Sequence, residues 1–189
     1  MLLQDGKGRG FAAGVNSRNE LLNHATISSE INEVAKEDGQ AYSFPTDVVA
    51  IAAAGQDGLL YILNPTTSRK DLQIDDIRVS SDAEAHWRFY KNPTGGTLIS
   101  GADGTPVNTN FGSGNQFTGT FKVGVDGNTV TGGDLFGQLI SLSGPFNFDS
   151  QGSIILTPGQ SLAVEVESFA ANNVGCTVLG FFGRETNGN

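Results

Sequence analysis

The 189 residues predict an all-β protein, an antiparallel, jelly-roll-like β-sandwich of about eight strands preceded by an extended N-terminal arm. Three observations carry that prediction. Short segments alternate apolar and polar residues with period two, the pattern of strands with one buried and one wet face. With 26 glycines and only 16% charged residues, the composition suits a turn-rich β-protein better than a helical one. Beyond residue 45 the apolar runs are short and punctuated by Gly, Asn, Asp and Pro, without a long stretch of helical periodicity. Length then suits one sandwich with an arm, placed at 46–189 and 1–45.

The arm carries single hydrophobics, among them Phe11, Val15, Leu21, Leu22 and Ile27, spaced by glycine, polar and charged residues, too few for a core of their own. Ser17 to Glu20 matches a capping box, and Glu30 to Gly39 sets Ile31, Val34 and Ala35 at helical spacing before a glycine stop. One short helix fits this stretch, and so does an extended segment that pairs only on assembly. Gly6 to Gly10 lacks the preceding strand and the Gly-Lys-Ser/Thr ending of a phosphate loop, and reads as a flexible Gly-rich start.

Asp47 to Ala54 and Leu59 to Pro65 read as a hairpin through Gly55 to Gly58, apolar on both faces and therefore central. In Asp71 to Ser80, Leu72 and Ile74 are out of phase with Ile77 and Val79, which predicts a bulge near a solvated Asp75-Asp76 pair. His86 to Pro93 sets Trp87 and Phe89 against His86, Arg88 and Tyr90, a core face against a wet one. Thr94 to Asn115 reads as a long polar loop. Gln116 to Val125 follows as a strand with Phe117, Phe121, Val123 and Val125 inward, and Asp126-Gly127-Asn128 as its turn. After a strand at Asp134 to Ser143 comes a terminal strand pair. Leu162, Val164 and Val166 alternate there with Ala163, Glu165 and Glu167, behind a turn at Thr157 to Gln160. Val174 to Phe182, reached through an Asn172-Asn173 hairpin, is apolar on both registers. It calls for a central position or an edge sealed by another subunit, and the second choice implies a cyclic homo-oligomer, with a trimer expected.

A net charge of −9 and a sequence pI near 4.5 argue against nucleic acid and anionic membrane surfaces as partners, since few cations are present to displace counterions. No apolar run approaches the roughly 20 residues of a spanning helix, and the start lacks the apolar centre of a signal peptide. Cys176, the one cysteine, falls in the apolar register of its strand and reads as a core residue made in a reducing cytoplasm. Catalytic constellations are not legible. The pair Asp75-Asp76 has no third ligand at metal spacing, and the oxygens of Asp103, Asn108 and Asn110 lack a calcium-loop spacing. Gly159-Gln-Ser161-Leu-Ala163 departs from a nucleophile elbow at its last position and opens a strand where an elbow needs a strand-to-helix turn. The chain therefore reads as non-enzymatic and without cofactors. A carbohydrate-binding alternative rests on Trp87, Arg88 and Tyr90, because aromatic faces and a guanidinium are what sugar stacking uses.

Several separated motifs then occur in one order: Asp5-Gly-Lys-Gly-Arg-Gly-Phe11 running on to Leu21, Ala41-Tyr42, Leu60-Tyr-Ile-Leu-Asn64, Tyr90-Lys-Asn-Pro-Thr-Gly-Gly-Thr-Leu-Ile-Ser100, Asn108-Thr-Asn-Phe-Gly-Ser113 and Leu156-Thr-Pro-Gly-Gln-Ser-Leu162. Together they resemble a recurring group of tailed-bacteriophage virion structural proteins. The resemblance runs from near residue 5 to the last strand and implies a β-sandwich that decorates or cements the capsid, made in the bacterial cytoplasm and located on the capsid surface. It brings no catalytic residues. The major capsid protein and sister subunits are the partners expected, with Phe11, Val15, Leu21 and Leu22 as contacts. In the carbohydrate-binding alternative the same sandwich sits on the tail or fibres as a receptor-binding module.

Overall fold

The computed structural model describes residues 3–4, 12–13, 31 and 34–183. The expected contacts Phe11, Val15, Leu21 and Leu22, and the capping box at Ser17, lie outside the described residues. Within the arm, β1 (Leu3–Gln4) and β2 (Ala12–Ala13) form a short antiparallel pair. The spacing of Ile31, Val34 and Ala35 yields a single π-helical turn, Val34–Asp38, closed by the Gly39 N–H donating to the Val34 carbonyl at 2.8 Å. Gly39 stops the turn with φ +60°, a conformation that favours glycine.

Twelve strands follow: β3 (Ala41–Pro45), β4 (Val49–Ile51), β5 (Gly55–Leu63), β6 (Leu72–Ser81), β7 (Ala85–Lys91), β8 (Ala102–Asp103), β9 (Val107–Asn108), β10 (Thr120–Val123), β11 (Asp134–Ser141), β12 (Gly144–Leu156), β13 (Ser161–Ser168) and β14 (Asn172–Phe182). They make two sheets, ordered β12-β6-β14-β3-β9, with β4 also on β14, and β11-β7-β13-β5-β10-β8. Every pairing is antiparallel. Among the eight principal strands the first pairs with the last, β3 with β14. Then β5 pairs with β13, β6 with β12, and β7 with β11. Rolling this nested ladder up joins β14 to β6 and β13 to β7, which is a jelly roll, as expected from the sequence.

Between the sheets lies one core. Trp87, Phe89, Val164 and Val166 of one sheet meet Phe44, Ile74, Ile77 and Val178 of the other, all at most 1% exposed. At one end Tyr42, Phe44, Phe117, Phe121 and Phe182 make edge-on and stacked ring contacts with centroids 4.8 to 6.3 Å apart. Trp87 keeps its indole N–H satisfied by donating to Ser141 Oγ at 3.0 Å, and Ser141 Oγ lies 3.1 Å from Ser81 Oγ.

The ladder corrects several expectations. Val49–Ile51 and Gly55–Leu63 are not a hairpin but lie in opposite sheets, and so do β13 and β14. Turn residues supply bends of either kind and leave the pairing partner open. The expected wet face of β13 is mostly covered: Ala163 is fully buried and Glu165 is 3% exposed, because the loop after β7 folds over them and buries Leu98 against Tyr61 and Ala163, and Glu167 alone of the three stays partly exposed. β14 takes the interior position, and its outward Phe181 is covered by Val34 and Ala41 of the same chain. The ground for a trimer sealed by this strand is thereby removed. The sandwich begins at Ala41 rather than 46, since Tyr42 and Phe44 are core residues. Val125 is 59% exposed, not inward.

The bulge expected at Asp75-Asp76 is present: Leu179 pairs with Asp76 and Gly180 with Ile74, leaving Asp75 as the extra residue. Ser150 donates its hydroxyl to the Ile74 and Asp75 carbonyls freed there. Only half of the acidic pair is solvated, however. Asp76 is 5% exposed and accepts from Arg78 Nε at 2.7 Å.

Close backbone approach makes Gly124 a sensitive position, because a Cβ there would overlap the Gly58 carbonyl oxygen. Gly124→Ala is expected to cost about 2 kcal/mol or more in urea unfolding, as overpacking against main chain does. Gly114→Ala, where a Cβ meets nothing within 4 Å, should change stability by less than about 0.5 kcal/mol.

Candidate interaction surface

β7 and β13 pair with Arg88 opposite Glu165 and His86 opposite Glu167, so the outer face of their sheet carries a charged ladder. Arg88 Nη1 lies 3.3 Å from Glu165 Oε1, Arg88 Nη2 also bonds Glu167, and Tyr90 donates its hydroxyl to Glu165 Oε1 at 3.4 Å. His86 Nδ1 sits 3.5 Å from Glu167, with its ring edge-on to Phe169 at 4.7 Å. Burial raises the Glu165 carboxyl above its ordinary value despite the hydrogen bond and charge of Arg88. The hydrogen bond from Arg88 lowers that of Glu167.

That geometry decides the fate of the proposed sugar platform. Trp87 faces the core and is 0% exposed, so it offers no ring to a ligand. The Arg88 guanidinium is clamped between two carboxylates, and Tyr90 packs with Leu98 and Val130 under the loop. Trp87 is thus a core residue, and Arg88 and Tyr90 form a network holding a buried carboxylate on a central strand.

Removing the cation should expose that role. Glu165, with its carboxyl raised, adds stability below its unfolded pKa and loses it as pH rises through the folded value. Glu167, lowered, does the reverse and adds stability above the ordinary carboxylate value. Arg88→Ala removes the cation that favours the ionised forms of both carboxylates, so at neutral pH Glu165 must either stay ionised without it or take up a proton against the solution, with an expected loss of about 3 kcal/mol. Urea titrations at pH 7 and pH 4 should show the loss shrinking at the lower pH as both carboxylates protonate.

Several of the separated sequence motifs converge at two places. Asn64, fully buried, donates through Nδ2 to the Leu156 and Lys70 carbonyls at 2.7 and 2.9 Å, and Gly159 N–H donates to the Asn64 carbonyl. Asn92, at φ +50°, accepts from Ser161 N–H at 2.8 Å and donates to Gln160 Oε1 at 2.6 Å. Ser161 is thereby a strand-opening residue held by Asn92. The second place is the base of the arm. There Asn110, Asn115 and Asn108 donate side-chain amides to the carbonyls of Ala35, Asp38 and Gly39 at 2.9, 2.8 and 2.7 Å. The loop thereby supplies donors to the carbonyls at the end of the turn.

One side of the sandwich carries a run of exposed apolar residues. On the far side each sheet ends in short strands, β8 of two residues and β9 of two. On the near side both sheets end in long ones, β11 of 8 residues and β12 of 13, joined by Leu142 and Ser143. Among the described residues each pairs on one flank only. Phe136 and Phe148 lean on Phe89, with centroids 6.2 and 5.8 Å away, and still expose 42% and 37% of their surface. Phe146 is 43% and Leu142 78% exposed. Between the two edges a cleft of about 200 Å³ is lined by Phe136, Ile154, Ile155 and Leu162. Sequence reasoning placed the strand at Asp134 but did not single out these residues. Pro145, tolerated only where a strand needs no donor on one flank, was the available sign of an edge.

Two further clefts carry charged residues on partly apolar walls. One of about 550 Å³ has Asp47, Asp103 and Asp126 on its walls, and one of about 510 Å³ has Arg69, Lys70 and Asn115. Among the described residues no group of three or more His, Cys, Asp or Glu is placed to hold a metal ion. Cys176 is buried, and burial pushes its thiol far up. Nor is any described helix long and apolar enough to cross a membrane. No family model, curated protein or solved structure matches the chain.

Proposed function

We propose that the protein is a non-enzymatic structural component of a tailed-bacteriophage virion, a capsid decoration or cement protein that binds the shell through its N-terminal arm. The observation that carries this reading is the ordered set of motifs resembling the virion group, from Asp5 to Leu162. Their placement supports it. Asn64, Asn92 and Gln160 close one end of the jelly roll, while Asn108, Asn110 and Asn115 hold the segment from which the arm departs. A sandwich that ties down the base of an apolar-dotted arm suits a protein that lays that arm on a neighbour. In this reading the major capsid protein is the partner, with Phe11, Val15, Leu21 and Leu22 as its contacts. The protein is made in the bacterial cytoplasm and comes to rest on the capsid surface. The charge of −9 disfavours packaged nucleic acid as the binding target. Of the residues named for the carbohydrate-binding reading, Trp87 is buried and Arg88 is engaged by Glu165 and Glu167, which favours the decoration reading over it.

Deleting residues 2–30 should leave a sandwich with an unchanged cooperative unfolding transition but abolish association with particles, as measured by co-sedimentation and cryo-electron microscopy. Normal incorporation of the truncated chain would overturn the arm as anchor. Density confined to the tail tip or fibres would overturn the decoration role.

A further inference from the structure

The β11–β12 side of the sandwich has no role in the arm-mediated reading, and its properties are unusual for a free surface. Long, flat edge strands bearing exposed hydrophobics attract other strands, and proteins blunt them with lysine, proline or bulges. Here β11 and β12 contain no lysine or arginine, and their charges are Asp134 and Asp149 alone. A proline and a bulge are present in β12, yet Phe136, Leu142, Phe146 and Phe148 remain open to solvent between the two edges. We infer that this side is a self-association surface, at which a second copy of the chain docks about a two-fold axis.

Three observations favour a second copy as the occupant. The first is area. At about 200 Å² for each large side chain, the exposed fractions of Phe136, Leu142, Phe146 and Phe148 amount to roughly 400 Å² before the open main chain and flanking side chains of the two edges are counted. A standard interface takes about 800 Å² from each partner. The second is edge geometry. The two sheets end side by side, so an occupant has to meet two open strand edges about 10 Å apart, and the matching side of another copy presents the same two. β11 and β12 are consecutive strands of opposite direction. A two-fold along the strands therefore sets β11 against β12 of the copy, and a two-fold across them sets each strand against itself. Both arrangements are antiparallel, so the contact closes as a dimer that consumes both long edges. The third is charge. A patch this poor in ions desolvates little on meeting itself, whereas a cationic partner would be drawn to the acidic remainder of the surface.

The inference does not depend on the virion reading, and its test uses the full chain alone. Sedimentation velocity at about 1 to 50 µM should show a monomer–dimer equilibrium. Because each copy carries −9, salt should strengthen it by screening repulsion. Phe146→Asp and Leu142→Asp, both at exposed sites, should each weaken dimerisation about 30-fold or more, the loss expected at an interface centre. Val48→Asp, at a 75% exposed residue outside β11 and β12, should leave it unchanged. Far-UV circular dichroism and the urea midpoint of each variant establish that the sandwich is intact. A wild-type chain that stays monomeric at 50 µM in both low and high salt would overturn the inference. So would a dimer indifferent to both Asp variants, a trimer, or protection of Leu142 and Phe146 only when a shell protein is added.

Discussion

The structure depends on the pairing of its last strand with its first. β14 takes β3 and β4 on one flank and β6 on the other, so the sheet that carries the arm is not continuous until this last strand is in place. The same nesting runs through the molecule, and only β7 and β11 join neighbours in the order of principal strands. Such pairings must close long loops before contacts repay the entropy, which makes folding slow and cooperative. It also ties the arm to the C-terminal strand: Phe181 supports Val34, and Gly39 begins the turn into β3.

Around this ladder, burial is unequal in a way that assigns work to each side. The loop between β7 and β11 spans more than forty residues and is folded over the outer face of the β5-β13-β7 layer by the Gly95–Thr131 bridge and by Leu98. That cover turns Glu165 into a buried carboxylate, which Arg88 and Tyr90 then have to satisfy. Two of the three residues expected to meet a sugar, Arg88 and Tyr90, are engaged by this requirement. Across the molecule β8, β9 and β10 close one side with short segments, while β11 and β12 leave the other open and apolar. The asymmetry separates an arm base, a covered face and an open side within one sandwich.

Much of the core was legible because strand periodicity reports facing directly. Trp87 and Phe89 inward, Cys176 with Val178, and the phase slip between Ile74 and Ile77 each follow from counting residues by twos. Glu165 shows the limit of that count. Alternation with valine reads as a wet face, and a second layer of chain, contributed by residues far away in sequence, reverses it. Val125 fails for a related reason, as its strand ends at Val123 before the pattern does. The apolar side went unnoticed because Phe146 and Phe148 do face the core, and only their place on the last strand of the sheet leaves them half open.

By itself the sequence determined the class of fold, the approximate strand count, the bulge at Asp75 and the glycine stop at Gly39, because each follows from local backbone geometry or from which side chains need burial. Tertiary structure alone decided which strands pair, which faces are covered twice and which edges stay open. Gly, Asn and Pro mark where the chain bends but carry no record of whether the next strand returns to the same sheet or crosses to the other. That choice is made by the whole ladder at once, through the joint burial of Trp87, Phe44, Val164 and Val178 between the sheets.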